Sequence, residues 1–130
     1  MKIPYPDINS DLAVTSHMYI CKRADGRAYE YVKCQTLKPK MLASRLLKHF
    51  VDEDADISRN PFQRTTRIDC DKVFATDSVL YDDELKTTAR PDVCQELYDI
   101  IMDELNLDGY DTINMNENDL ISVNPLITKI

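Results

Sequence analysis

Between Thr15 and Thr36 the chain runs TSHMYICKRADGRAYEYVKCQT, two strand-like runs on either side of Asp25-Gly26. That dipeptide readily supplies the positive φ values of a tight hairpin turn, so the segment is expected to form two paired strands. A turn centred on Asp25 and Gly26 places Tyr19 opposite Val32, His17 opposite Cys34 and Thr15 opposite Thr36. Side chains alternate along a strand, which puts His17, Tyr19, Cys21, Val32, Cys34 and Thr36 on one face. His17 and Thr36 become diagonal neighbours, roughly 7–8 Å apart, a spacing that suits one small anionic group between them.

The rest of the chain must cover this hairpin with a single core. A chain of 130 residues fits one domain, residues 1–130, that buries roughly two-thirds of the surface its unfolded form exposes. With 43% apolar and 30% charged residues it is an ordinary globular composition. No apolar run approaches the roughly 18 residues needed to cross a bilayer, so no membrane partner is expected. The opening MKIPYPDINSDL lacks the apolar stretch of a secretory signal, and a cytoplasmic location is the expectation. Cys21, Cys34, Cys70 and Cys94 form no C-x-x-C pair, and three of them sit in apolar strand-like runs. Buried free thiols fit that pattern better than a zinc site or a disulfide.

Along the chain, Ile3-Pro4-Tyr5-Pro6 excludes helix and starts extended, and Asp7 to Ser16 reads as a loop. Pro39 is tolerated at a first helical position, and Leu42, Leu46, His49 and Phe50 recur at helical spacing, which predicts a helix running through Phe50. The acidic run Val51 to Ile57 lacks the Gly and Glu of a calcium loop and reads as a solvated connection or short edge strand. Asn60-Pro61 marks a turn. Thr66 to Ala75 reads as a strand with Ile68, Cys70, Val73 and Ala75 inward, the change of parity implying a bulge near Asp71. Pro91 opens a helix to Leu105 with Val93, Leu97, Ile101 and Leu105 as its buried stripe and Cys94 and Ile100 alongside. Asp108-Gly109 ends it. The tail holds two strand-like pieces, Thr112 to Met115 and Leu120 to Val123. The expected fold class is α+β, a small antiparallel curved sheet or SH3-like barrel with two helices. No internal repeat, Gly-rich phosphate loop, nucleophile elbow or HExxH is present, so no cofactor and no metal are expected.

The net charge of −7 conceals a division. His17 to Arg67 holds eleven Lys or Arg against six Asp or Glu, and Ile68 to Ile130 four against fifteen. Such a split marks either a nucleic-acid surface backed by an acidic one or two solvated faces. Arg59, Arg64 and Arg67 gather ahead of the 66–75 strand, where guanidinium forks can meet a phosphate or pair with the acidic half. Lys33, Lys38 and Lys40 extend the basic region and, with Arg59, are candidates for binding RNA. His49 stands without a second ligand at metal spacing and reads as a packing or surface histidine.

In the order of its motifs the chain resembles the PemK/MazF toxin family. The motifs are HMYIC from His17, VKCQTLKP ending at Pro39, RNPFQRTTRIDCDKVFATD from Arg59, and the helix RPDVCQELYDIIMDEL from Arg90. The resemblance implies a small SH3-like barrel and a sequence-specific, metal-independent endoribonuclease that forms a homodimer and pairs with an antitoxin protein. In the family an Arg-Pro begins the strand that His17-Met18 begins here, and a Thr-Ser closes the strand that Gln35-Thr36 closes here. Without that Arg, three alternatives stand: His17 takes over its role, Arg64 or Arg67 moves in, or the activity is lost.

Cleaving RNA without a metal needs a base for the 2′-OH proton, a donor for the phosphoryl oxyanions and an acid for the leaving 5′-oxygen. His17 suits proton transfer, Arg64 or Arg67 suits the oxyanion, and Thr36 adds a hydroxyl. The competing expectation is a non-enzymatic acidic inhibitor from a phage or mobile element. Its helix carboxylates Asp92, Glu96, Asp99 and Asp103 would imitate phosphates and occupy the groove of a nucleic-acid-binding protein.

Overall fold

A computed structural model of the chain describes residues 18–25, 28–39, 47–77, 79–85 and 92–129. The expected hairpin is present as β1, Met18–Asp25, and β2, Ala28–Thr36, paired antiparallel. Its register differs from the expectation. Asp25 is the last residue of β1 and faces Ala28, so the expected turn centred on Asp25-Gly26 is corrected, and beyond an irregularity between Cys21 and Arg23 the pairs are Ile20 with Val32 and Met18 with Cys34. A bulge adds one residue to one strand and exchanges the faces beyond it. Met18 and Ile20 therefore join Val32 and Cys34, while Tyr19 and Cys21 turn to the opposite face with Tyr31. The ring of Tyr19 meets Phe74 edge-on there, centroids 6.1 Å apart. The position opposite Cys34 expected for His17 is thus held by Met18, and His17 lies outside the described residues.

β2 is the central strand. β1 occupies one edge, and the other is shared end to end by β4, Thr66–Asp69, and β5, Lys72–Thr76. Cys34 pairs with Ile68 and Tyr31 with Phe74, so Val32 and Lys33 lie opposite five residues, Asp69 to Val73. The irregularity expected near Asp71 is this excess, and it divides the single predicted strand into two. Ile68, Cys70 and Val73 are buried as expected; Phe74 is buried on the other face, and Ala75 is only half-buried.

β3, Phe50–Glu53, pairs antiparallel with β4 at one end of the sheet, and β7, Asp111–Asn114, pairs parallel with β5 at the other. The acidic run after Phe50 thus begins as an edge strand. The helix expected from Pro39 to Phe50 falls largely outside the described residues, and its end is corrected because Phe50 belongs to β3. There Phe50 faces Asp69 across the ladder and its ring receives the Arg67 guanidinium at 3.8 Å, so pairing with β4 overrides the apparent helical period. Among the described residues the sheet is open, curved and mostly antiparallel, with no closing pair between β1 and β3 or β7.

The clearest predicted helix is α1, Gln95–Leu107, which starts four residues after Pro91. The cap is Cys94, whose Sγ accepts a hydrogen bond from the Leu97 N–H at 3.4 Å. Leu97, Ile101 and Leu105 are fully buried, whereas Ile100, expected alongside them, is 41% exposed. Gly109 at φ +78° follows the helix, in the left-handed region where glycine carries no Cβ penalty. The Leu120 to Val123 strand is also corrected. These residues lie in α2, Glu117–Val123, capped by Asn116, whose Oδ1 accepts from the Asp119 N–H at 3.1 Å. The strand that closes the chain is β8, Ile127–Lys129, paired antiparallel with β6, Val79–Tyr81.

Two apolar clusters result, one on each face of the sheet. Val32, Cys34, Ile68, Cys70 and Val73 pack with Leu97, Ile101 and Leu105 under α1; Phe74, Val79, Met115, Leu120 and Ile127 pack on the other side. The Cys70 thiol is pushed up to about 12, by burial first and then by the carboxylates of Glu104, Asp69 and Asp71. Burial also raises Cys34, with Cys70 adding to it. A raised folded-state value means the unfolded chain gives up the proton first. This contribution to stability is therefore complete below the unfolded thiol value of about 8.5 and is lost as pH rises towards the folded one. Urea midpoints measured at pH 8 and pH 10.5 should fall more steeply for the parent chain than for Cys70→Ala. Equal slopes would remove the thiol as the cause. Cys21, which is exposed, should react with a thiol reagent well before Cys34 or Cys70.

Candidate functional site

Where β2 ends, Thr36 pairs with Thr66 and the Leu37 N–H donates to the Thr65 carbonyl at 2.9 Å. The segment between β3 and β4 wraps around this end, and Asn60 holds its shape. Asn60 is fully buried: its Nδ2 donates to Glu53 Oε2 at 3.0 Å and to the Asp54 carbonyl at 2.9 Å, and its Oδ1 accepts from the N–H of Phe62 at 3.1 Å and of Asp56 at 3.2 Å. With every polar group satisfied, the amide acts as an internal peg that seats Phe62 in the core beneath the loop. Sequence reasoning identified Asn60-Pro61 only as a turn and missed this role, because an asparagine's buried partners leave no local pattern.

Above Phe62 lies a cleft of about 330 Å³ bordered by Met18, Gln35, Thr36, Gln63, Arg64 and Thr66. Thr36 and Arg64, two of the expected catalytic residues, both line it. Thr66 Oγ1 donates to the Arg64 carbonyl at 2.9 Å, which steadies the backbone that carries the arginine. The Arg64 side chain is exposed and makes no ion pair among the described residues. The lining holds one cation, two primary amides, two hydroxyls and no carboxylate, a donor-rich set suited to an anion.

The other two arginines are engaged elsewhere. Arg67 is buried and grips Asp52 with both arms of its fork, Nε to Oδ1 at 2.8 Å and Nη2 to Oδ2 at 2.9 Å, while stacking on Phe50. The hydrogen bonds to Asp52 raise its pKa further. Arg59 pairs with Glu53 at 3.0 Å and, across to α1, with Glu96 at 3.2 Å. For these two side chains the structure has the ion-pair arrangement and not a free phosphate fork. Lys33 is half-buried, its pKa lowered by burial and then by the like charge of Lys72; Lys38 is exposed just past the end of β2. His17 and Lys40 lie outside the described residues.

His49 bridges to α1, with Nδ1 3.2 Å from Glu104 Oε1 and Nε2 3.0 Å from Asp108 Oδ2. Among the described residues no group of three His, Cys, Asp or Glu side chains is placed to hold a metal ion. None of the four cysteines is in a disulfide; Cys34 and Cys70 are buried, Cys94 is half-buried and Cys21 exposed.

The contrast between the arginines can be measured. Arg67→Ala should lower the melting temperature by roughly 3–8 °C, since it strands Asp52 and uncovers Phe50, while Arg64→Ala should leave it nearly unchanged. Asn60→Ala should cost about 2–3 kcal/mol by leaving buried backbone donors unpaired and should speed proteolysis within residues 54–65. Equal melting temperatures for the two arginine variants would show that Arg67 is not structural.

No protein-family model, no curated protein and no solved structure matches this chain.

Proposed function

We propose that the cleft at the end of β2 binds a phosphodiester of single-stranded RNA, and that the chain is a toxin-like, metal-independent endoribonuclease. The observation that carries this reading is the convergence of Thr36 and the exposed Arg64 on a cleft without carboxylates, while Arg59 and Arg67 are tied to acidic partners. The resemblance to PemK/MazF toxins supplies the reaction class and the metal independence.

In that reaction the 2′-oxygen attacks the adjacent phosphorus, the bond from phosphorus to the 5′-oxygen breaks, and a 2′,3′-cyclic phosphate and a free 5′-hydroxyl remain. Arg64 has a planar fork that can hold two phosphoryl oxygens, and its charge offsets the negative charge that builds on them in the transition state. The Thr36 hydroxyl adds a donor to the same oxygens. His17 is the proposed group for moving a proton from the 2′-hydroxyl or to the 5′-oxygen. Lys38, exposed beside the cleft, supplies charge to the flanking backbone. A cytoplasmic location, a homodimer and an antitoxin partner belong to the same proposal. No helix of the described residues is long and apolar enough to cross a membrane.

A second reading has its own observation in the outer face of α1, where Glu96, Asp99 and Asp103 are exposed. They would imitate a phosphate backbone for a nucleic-acid-binding protein. Glu96 is paired with Arg59 and Asp99 accepts a hydrogen bond from Gln95 at 2.8 Å, so the row is less free than its sequence implies.

The test is cleavage of a mixed-sequence RNA in EDTA by the purified chain. Arg64→Ala and Thr36→Ala should each slow cleavage by roughly 100-fold, the usual scale for losing one transition-state donor. Lys38→Ala should weaken RNA binding and reduce its salt slope by about one while sparing the rate at saturation. Equal rates in all variants would remove Arg64 and Thr36 from the mechanism. No cleavage, together with a salt-sensitive complex with a nuclease or polymerase, would replace the nuclease by the mimic.

A further inference from the structure

At the opposite end of the sheet β7 has β5 as its only strand partner among the described residues. The Asp111 N–H donates to the Asp71 carbonyl at 3.0 Å and the Met115 N–H to the Ala75 carbonyl at 2.9 Å. Alternation along a parallel ladder then turns the N–H and C=O groups of Thr112 and Asn114 outward, away from β5. Asp111, Thr112 and Asn114 are exposed, while Ile113 packs against the buried cluster around Phe74. Among the described residues the strand is held from beneath and open along its edge, the arrangement that accepts one more strand.

Charge specifies what kind of strand. From Pro91 to Thr128 the chain carries nine Asp or Glu and no Lys or Arg. A second cleft, about 430 Å³, adjoins β7 and is bordered by Thr112 and Asn114, by Ala75, and by the carboxylates of Glu30, Asp77 and Glu117. Glu30 already meets Lys22 at 3.5 Å. Asp77 and Glu117 have no cationic partner among the described residues. Small side chains at Ala28 and Ala75 leave the room. A second copy of β7 would set Asp111 and this acidic surround against themselves, so self-pairing along this edge is opposed by charge.

We infer that β7 receives an extended basic segment of another protein, added to the sheet as a strand. Its backbone would bond the outward groups of Thr112 and Asn114. Neighbouring strands lie about 4.8 Å apart, so a lysine or arginine on the cleft side crosses β7 and finds Asp77 and Glu117 as counter-charge. This surface is independent of the cleft at Thr36 and Arg64 and stands whether or not the chain cleaves RNA.

The probe is a fluorescein-labelled peptide of alternating Lys and Thr, ten residues long, titrated with the full chain by anisotropy. It is compared with a Glu and Thr peptide and with two Lys and Thr peptides N-methylated at one or the other alternate set of residues. Methylating the set that faces β7 should weaken binding at least tenfold while the other set binds as the parent does, and amide exchange should slow at Thr112 and Asn114. Thr112→Pro removes an outward N–H that bonds none of the described residues, at an edge position where proline is tolerated; with an unchanged circular dichroism spectrum it should weaken binding at least tenfold. Equal binding of both methylated peptides would show attraction by charge alone and overturn the added strand. Equal binding of the Glu and Thr peptide, or unchanged affinity in a folded Thr112→Pro, would overturn it as well.

Discussion

The architecture depends on the break at Cys70-Asp71. Because β2 faces five residues where it has two of its own, one edge of one strand serves two directions: β4 continues towards β3, and β5 continues towards β7. Asp71 stabilises the break itself. Its carboxylate accepts from the N–H of Lys48 at 2.7 Å and of His49 at 3.0 Å, and its carbonyl accepts from the Asp111 N–H. One residue thereby fixes where β3 approaches and where β7 begins, 40 positions later in the chain. A carboxylate bonded to two backbone donors is a charge-assisted contact of the stronger kind, and the two branches of the sheet are positioned by it together.

Much of this was legible wherever the pattern is local and repeated. Leu97, Ile101 and Leu105 announce a helix with one buried side, Asp108-Gly109 announces its end, and the change of parity around Asp71 announces an irregular strand. The hairpin was legible but not its register: Asp25 pairs with Ala28 and is not a central turn residue, and the shift between Cys21 and Arg23, which carries no mark in the sequence, then exchanges Tyr19 for Ile20 on the inner face. Phe50 and Leu120 failed in opposite directions. Phe50 extends a helical spacing but is claimed by β4 and Arg67. Leu120 sits in a run too short to show a period, and the telling signal is Asn116 followed three residues later by Asp119, a helix start.

The candidate site was legible as a list of residue types and not as an assignment. Arg59, Arg64 and Arg67 look alike in sequence, and what separates them is the neighbour each one meets: Glu53 and Glu96, the open cleft, and Asp52 with Phe50. Those neighbours come from β3 and α1, which flank the segment on either side in sequence but converge on it only in the fold. Alternation along β4 explains part of the division. Thr66 points to the α1 side with Thr36, and Arg67 must point to the other side, where Asp52 of β3 also points.

The same division bears on how the acidic and basic parts of the chain are joined. Arg59 and His49 reach across to carboxylates of α1, yet α1 presents its fully buried side through Leu97, Ile101 and Leu105, and the pairs lie at its margins. Burying three such side chains contributes on the order of 5–8 kcal/mol before entropy is counted, whereas marginal pairs contribute up to about 1 kcal/mol each. Apolar contact therefore holds the acidic helix against the sheet, and the charges are not consumed in doing so. That leaves the fields of the two regions separate: a cation and hydroxyls at the end of β2, and around β7 the carboxylates of Asp77 and Glu117, which have no cationic partner among the described residues. A chain whose halves had docked by charge would have neutralised both surfaces, and neither cleft would retain the single-signed lining that gives it a choice of ligand.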